Sequence, residues 1–196
     1  MDMTGTPLID KQINPDTILF FDMDGTLVDT DFANFLSYKE AINFVLQTDK
    51  EIQFSLNERF NRTTIKKIAP NLTEEELENI VQQKEINYKE MLHQTKLNKS
   101  VADILIRYYK TNKTVLVTNC RKERALLTLN YHNLSDKFSH LIFRQYAENG
   151  NRVNKYENAI NHLNLSAQNI IVFENEKSEI DDAVFAGILI DNIVNL

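Results

Sequence analysis

The chain has 196 residues, 42% of them hydrophobic and 26% charged, which suits one globular domain with an insertion, or two small ones, and a real buried core. Its formal net charge of −6 argues against a nucleic-acid binder, which needs a basic face, although a local pocket can still be positive. No apolar run is long enough to cross a bilayer, residues 1–17 lack the apolar stretch of a secretory signal, and the lone Cys120 rules out an intramolecular disulfide or a multi-cysteine metal site. The expectation is a cytoplasmic protein, a monomer or weak dimer, with neither nucleic acid nor membrane as partner.

In chain order, the first strand signal is residues 17–21 (Thr-Ile-Leu-Phe-Phe), a buried-strand pattern that ends abruptly in acidic residues. From about Phe32 to Gln94 the pattern is helical throughout, with Phe32, Phe35, Leu36, Ile42 and Leu46 near one face and Leu77, Ile80, Val81 and Tyr88 near another. Within it, Pro70 closes one helix, and Thr73 with Glu76 three residues on forms a capping-box start for the next. Helices over 101–109, 122–131, 155–163 and 180–186 then alternate with strands over 114–118, 140–143, 169–173 and 188–190. Such alternation predicts an α/β fold: a Rossmann-like parallel sheet flanked by helices, with a small all-helical cap inserted after the first strand. The core is expected over 1–31 and 96–196, with 1–16 a flexible lead, and the cap over 32–95. Hinges are expected near 30–32 and 94–98.

The most informative segment is Asp22-Met23-Asp24-Gly25-Thr26. Two carboxylates two residues apart sit where a parallel strand gives way to a loop, the edge at which open α/β sheets place their ligands. Held together they repel unless a cation is shared, so a hard divalent ion is the natural third party, and Gly25 permits a tight turn beside it. An isolated Asp-x-Asp is more often a solvated acidic turn; the longer string directly after a buried strand favours a site.

With three further motifs in order, the chain resembles the haloacid dehalogenase-like hydrolases from Thr17 onward. The second motif is Thr118-Asn119 at the end of a strand, and the third is Lys155 opening a helix. The fourth is the acidic cluster of Glu174, Asn175 and Glu176 followed by Glu179. The resemblance implies an aspartyl-phosphate mechanism. Asp22 would attack phosphorus, and Asp24 would protonate the leaving oxygen and then activate water. Magnesium would be bound by Asp22 and the carbonyl of Asp24, with Glu174, Asn175 and Glu179 as further candidate ligands. Thr118, Asn119 and Lys155 would hold the phosphoryl group. Taken singly, Thr118 reads as a β-former and Lys155 as a solvated helix-start lysine; their order after the first motif promotes them. Cys120 has no histidine close in sequence and reads as structural.

Motif four departs from the pattern, because relatives carry an aspartate where this chain has Asn175, an oxygen donor without charge. Asp181 and Asp182 are expected on the helix, facing solvent. The insert resembles the cap of the branch that contains β-phosphoglucomutase and many small-phosphate phosphatases, with Arg62 in a loop that helps hold substrate and Lys84 at a sugar-phosphate contact. Asn34 stands where the mutases place a histidine, which favours a hydrolase acting on a small phosphorylated metabolite over a sugar-phosphate mutase. A non-catalytic relative that binds a phosphorylated ligand is the reading of a different class.

Overall fold

A computed structural model describes residues 12–49, 51–55, 60–148 and 150–196. Five short strands, β1 (Ile18–Phe21), β4 (Lys113–Val117), β5 (His140–Ile142), β6 (Ile170–Glu174) and β7 (Ile193–Asn195), form one sheet in the order β5-β4-β1-β6-β7. Every pairing in it is parallel, so the α/β Rossmann-like expectation holds. Central β1 is buried on both faces. Leu19 and Phe21 point into one apolar layer, packed by Val101 and Leu105 of α4 (Lys99–Tyr108) and Ala125 and Leu129 of α5 (Lys122–Tyr131). Phe20 points into the other, with Tyr156 and Ala159 of α6 (Lys155–Leu163) and Ala183 of α7 (Lys177–Phe185). That two-sided burial is why β1 reads as an unbroken apolar run.

Between β1 and α4 lies a helical segment. A two-residue antiparallel ribbon, β2 (Val28–Asp29) with β3 (Lys96–Leu97), closes its base. It contains α1 (Asp31–Leu46), α2 (Arg62–Ile68) and α3 (Glu74–Asn87), which bury their own cluster of Phe35, Ile42, Ile65, Leu77 and Ile80. The capping box is present: Thr73 Oγ1 accepts from the Glu76 amide at 3.1 Å, and Glu76 Oε2 accepts from the Thr73 amide at 2.8 Å. No helix among the described residues is long and apolar enough to cross a membrane.

Three expectations are corrected. The last strand is Ile193–Asn195, not 188–190: Gly187 at φ +90° ends α7, Ile188 is drawn into the core, and Ile190–Asn192 is a 3-10 turn with Ile190 exposed. Residues 51–55 are not helical, although Ile52 is buried; it fills the insert's core from irregular backbone. Helix α7 begins at Lys177 rather than 180, because its first turn buries Glu179 in a polar site and so carries no apolar signal.

Candidate active site

The C-terminal ends of β1, β4 and β6 meet at one point, the ligand edge of an open parallel sheet. Asp22 leaves β1 with its amide donating to Phe173 O of β6 at 3.1 Å, which fixes the carboxylate over the sheet edge. The chain then turns tightly: Met23 O accepts from Thr26, Leu27 and Val28, and Gly25 adopts φ +91°. A Cβ on Gly25 would lie 2.6 Å from Asn175 Nδ2, so the glycine permits both the turn and the approach of the β6 loop.

Lys155 opens α6, whose start is capped by Asn154 accepting from the amides of Tyr156 and Glu157. Its Nζ donates to Asp22 Oδ1 at 2.7 Å and Glu174 Oε2 at 2.8 Å, and lies 3.4 Å from Glu179 Oε2. Glu174 is fully engaged: Oε2 also accepts from Tyr156 OH at 2.6 Å, and Oε1 accepts from the amides of Asn175 at 2.9 Å and Glu176 at 3.0 Å. Glu179 accepts from Asn119 Nδ2 at 2.9 Å and pairs with Arg152. Burial pushes the Asp22 carboxyl up to about 7; Lys155 opposes this, while Glu174 and Asp24 add to it. Burial disfavours the Lys155 ammonium, but Asp22, Glu174 and Glu179 outweigh it and raise its pKa.

Asp24 belongs to a closed ring of hydrogen bonds. Thr30 Oγ1 donates to Asp24 Oδ1 at 2.6 Å, Asn34 Nδ2 to Thr30 Oγ1 at 3.2 Å, Arg124 NH1 to Asn34 Oδ1 at 3.0 Å, and Arg124 NH2 to Asp24 Oδ2 at 3.1 Å. The same guanidinium donates through Nε to Cys120 Sγ at 2.8 Å. Burial pushes the Cys120 thiol up to about 12, so this sulfur is an acceptor in the packing and not a nucleophile.

Together these residues floor a cleft of about 490 Å3 whose far walls come from the helical insert. Asp22, Asp24, Thr118, Asn119, Lys155, Glu174, Glu179 and Arg62 all line it. Thr118 is buried with its Oγ1 accepting from the Cys120 amide at 3.1 Å, and Asn119 Oδ1 is a buried acceptor with no partner among the described residues. Arg62 is paired with Glu78 at 2.9 Å at the rim. Two predicted residues lie off the cleft wall. Lys84 is fully buried behind it, over the rings of Tyr38 and Tyr88, and burial lowers its pKa to about 8. Asn175 is exposed, and its Oδ1 accepts from Thr26 Oγ1 at 2.9 Å. Asp181 is exposed as expected, whereas Asp182 is partly buried and bonded to Arg152 at 2.8 Å.

For a hard cation the cleft offers oxygen donors at Asp22 and Asp24, while Asn175 stands off its wall with Oδ1 accepting from Thr26. Glu174 and Glu179 already have their oxygens filled, and no group of three or more His, Cys, Asp or Glu among the described residues forms a ready-made metal cluster. The donor chemistry still fits: three buried carboxylates share one ammonium here, an excess of negative charge that a cation would offset.

The pairing in the floor bears on stability. Between about 4 and about 7 folded Asp22 holds a proton that the unfolded chain has released, so this group lowers stability as pH rises and does so fully above about 7. Asp22→Asn, measured without divalent metal, should therefore melt higher than wild type above that range, by about 2–4 °C for each kcal/mol recovered. The gain should fade as pH falls through 7 and vanish below about 4, where wild-type Asp22 becomes protonated in both states. A melting temperature that falls at every pH would contradict this account of Asp22.

Sequence features outside the four motifs supplied several of these groups. Arg124 lies one helical turn beyond Cys120, Asn34 one turn beyond Thr30, and Tyr156 directly follows Lys155; the spacings were readable, their convergence was not.

Parallel sheet, helical insert and strand-end acids define an α/β scaffold with carboxylates gathered at the edge of its first strand. The model of the haloacid dehalogenase-like hydrolase family matches residues 19–190, and the chain belongs to that family. Comparison with curated protein sequences gives no match. Among solved structures, the chain is similar to CbbY from Rhodobacter sphaeroides in complex with phosphate (TM-score 0.71, 14% identity, 87% of this chain and 83% of that one). It is similar too to a predicted phosphatase from Clostridium acetobutylicum (TM-score 0.69, 18% identity, 88% and 82%). A predicted phosphoglycolate phosphatase from Haemophilus somnus gives a TM-score of 0.67 at 19% identity over 93% and 86%. At these identities the likeness speaks for the fold.

Proposed function

We propose that the protein is a magnesium-dependent phosphatase that hydrolyses a small phosphorylated metabolite through an aspartyl-phosphate on Asp22. The observation that carries this reading is the Asp22–Lys155 pair at 2.7 Å on the floor of the cleft, beside Thr118. Lys155 holds one oxygen of the carboxylate, which orients the other for attack. Asp22 forms a bond to phosphorus as the ester P–O bond breaks, and Asp24, which enters this step protonated and so gives up a hydrogen bond it accepts from Thr30 or Arg124, passes its proton to the leaving oxygen. Asp24 then takes a proton from water as that water attacks phosphorus, and phosphate leaves with Asp22 restored. Thr118, Asn119 and Lys155 orient the phosphoryl oxygens, and the insert, acting as a cap, excludes bulk water. Magnesium, held by Asp22, the carbonyl of Asp24 and Asn175, would offset phosphoryl charge.

Asn34 favours a hydrolase over a mutase, because its amide is spent on Thr30 and Arg124 and has no proton to relay. Turnover of p-nitrophenyl phosphate with and without magnesium tests the reading: activity that needs the metal is expected, and none under either condition would leave the ligand-binding relative. Asp24→Asn should lose about 10²–10⁴-fold with alkyl phosphates. The loss should be smaller in the first step with an aryl phosphate, whose leaving group needs less protonation. Equal single-turnover losses for both would remove Asp24 from the acid role.

A further inference from the structure

Most cations of the cleft are already spent. Lys155 is held by Asp22 and Glu174, Arg124 by Asp24, and Arg62 by Glu78. Two are not. Arg144 lines the cleft partly buried, its guanidinium 5.2 Å from the centre of the Tyr146 ring, and has no carboxylate partner among the described residues. Arg121 lines the same cleft, and its contact with Glu85 is 4.0 Å, the outer limit of an ion pair.

The two arginines sit on adjoining loops. The Arg144 amide donates to Cys120 O at 3.4 Å, and one step nearer the sheet the Thr118 amide donates to Ile142 O at 3.0 Å. The phosphoryl groove at Thr118 and this guanidinium pair therefore share one edge. Partly desolvated guanidinium without a counter-charge is costly, and its planar donors match a carboxylate or a phosphate. The transferred phosphoryl group is accounted for by Lys155 and Thr118, which leaves the other end of the substrate.

Resting on the phosphatase reading, we infer that Arg144, with Arg121, reads a second anionic group on the leaving half of the substrate. The substrate is then a phosphate ester that also carries a carboxylate or a second phosphate, and the cleft of about 490 Å3 is of a size for a small metabolite. Charge-assisted hydrogen bonds of this kind are worth about 1.5–3 kcal/mol, or about 10–100-fold in kcat/KM.

Matched pairs test it: glycerol 3-phosphate against 3-phosphoglycerate for a carboxylate, and glucose 6-phosphate against glucose 1,6-bisphosphate for a phosphate. The charged member should be preferred in at least one pair, and that pair identifies the anion. Arg144→Met should collapse the preference towards one, Arg121→Met should reduce it, and Arg144→Lys should keep part of it. No preference in either pair, or a preference that Arg144→Met leaves intact, overturns the inference. Loss of p-nitrophenyl phosphate turnover in wild type would instead overturn the phosphatase reading. The same comparison made by calorimetric binding of 3-phosphoglycerate and glycerol 3-phosphate then decides the role of Arg144 without turnover.

Discussion

Asp22→Asn should reduce turnover by about four orders of magnitude or more, the scale seen when a covalent catalyst is removed. The substitution keeps size and shape, and the new amide oxygen can still accept from Lys155, so the site stays assembled. Only the attacking negative charge is lost. Because the same change relieves a buried, desolvated carboxyl, this variant should be more stable than wild type above about pH 7 while being inactive. Stability and activity moving in opposite directions separates a lost nucleophile from a damaged fold. Steady-state kinetics on an aryl phosphate beside a thermal melt checks both, and near-normal turnover would remove Asp22 from the chemistry.

Lys155→Met should have the second largest effect, and it should be felt in the fold as well as in the rate. Lys155 is the shared cation of Asp22, Glu174 and Glu179, each within 3.4 Å and each buried. Removing it leaves carboxylates facing one another in a desolvated site, which costs about 3–5 kcal/mol for a broken buried pair. Turnover should fall at least about a thousandfold, since orientation of Asp22 and of the phosphoryl oxygens goes with it. Adding Glu174→Gln to this variant removes one orphaned charge and should restore part of the stability without restoring turnover. Denaturant unfolding of the single and double variants measures the coupling. A loss under about 1 kcal/mol in the single variant would mean that the carboxylates are relieved in some other way.

That Asp22, Asp24, Thr118 and Lys155 line one cleft was legible because each stands at or just past a strand end or at a helix start, where sequence pattern changes abruptly and position in space follows from the fold. Arrangements that depend on which side chains meet were not. Glu174 reads as a metal ligand until its oxygens are seen taken by Lys155, Tyr156 and two backbone amides. Lys84 reads as a cap lysine at a sugar-phosphate contact, but it is buried behind the cleft wall over Tyr38 and Tyr88. The link from Asp24 through Thr30 and Asn34 to Arg124 spans 100 residues, and no local pattern encodes it. In the fold, β7 was misplaced because Ile188-Leu189-Ile190 is more apolar than the strand itself. Gly187 and the burial of Ile188 settle the chain there before it can pair with β6.

The central claim is a covalent phosphoryl group on Asp22, and trapping it is the most direct test. Enzyme mixed with magnesium and an aryl phosphate is quenched in acid within a turnover, digested, and the peptides weighed. The expected result is the mass of one phosphoryl group on the peptide containing residues 18–24, localised to Asp22 and absent from Asp22→Asn. A phosphoryl group on another residue, or none while turnover proceeds, would contradict the mechanism.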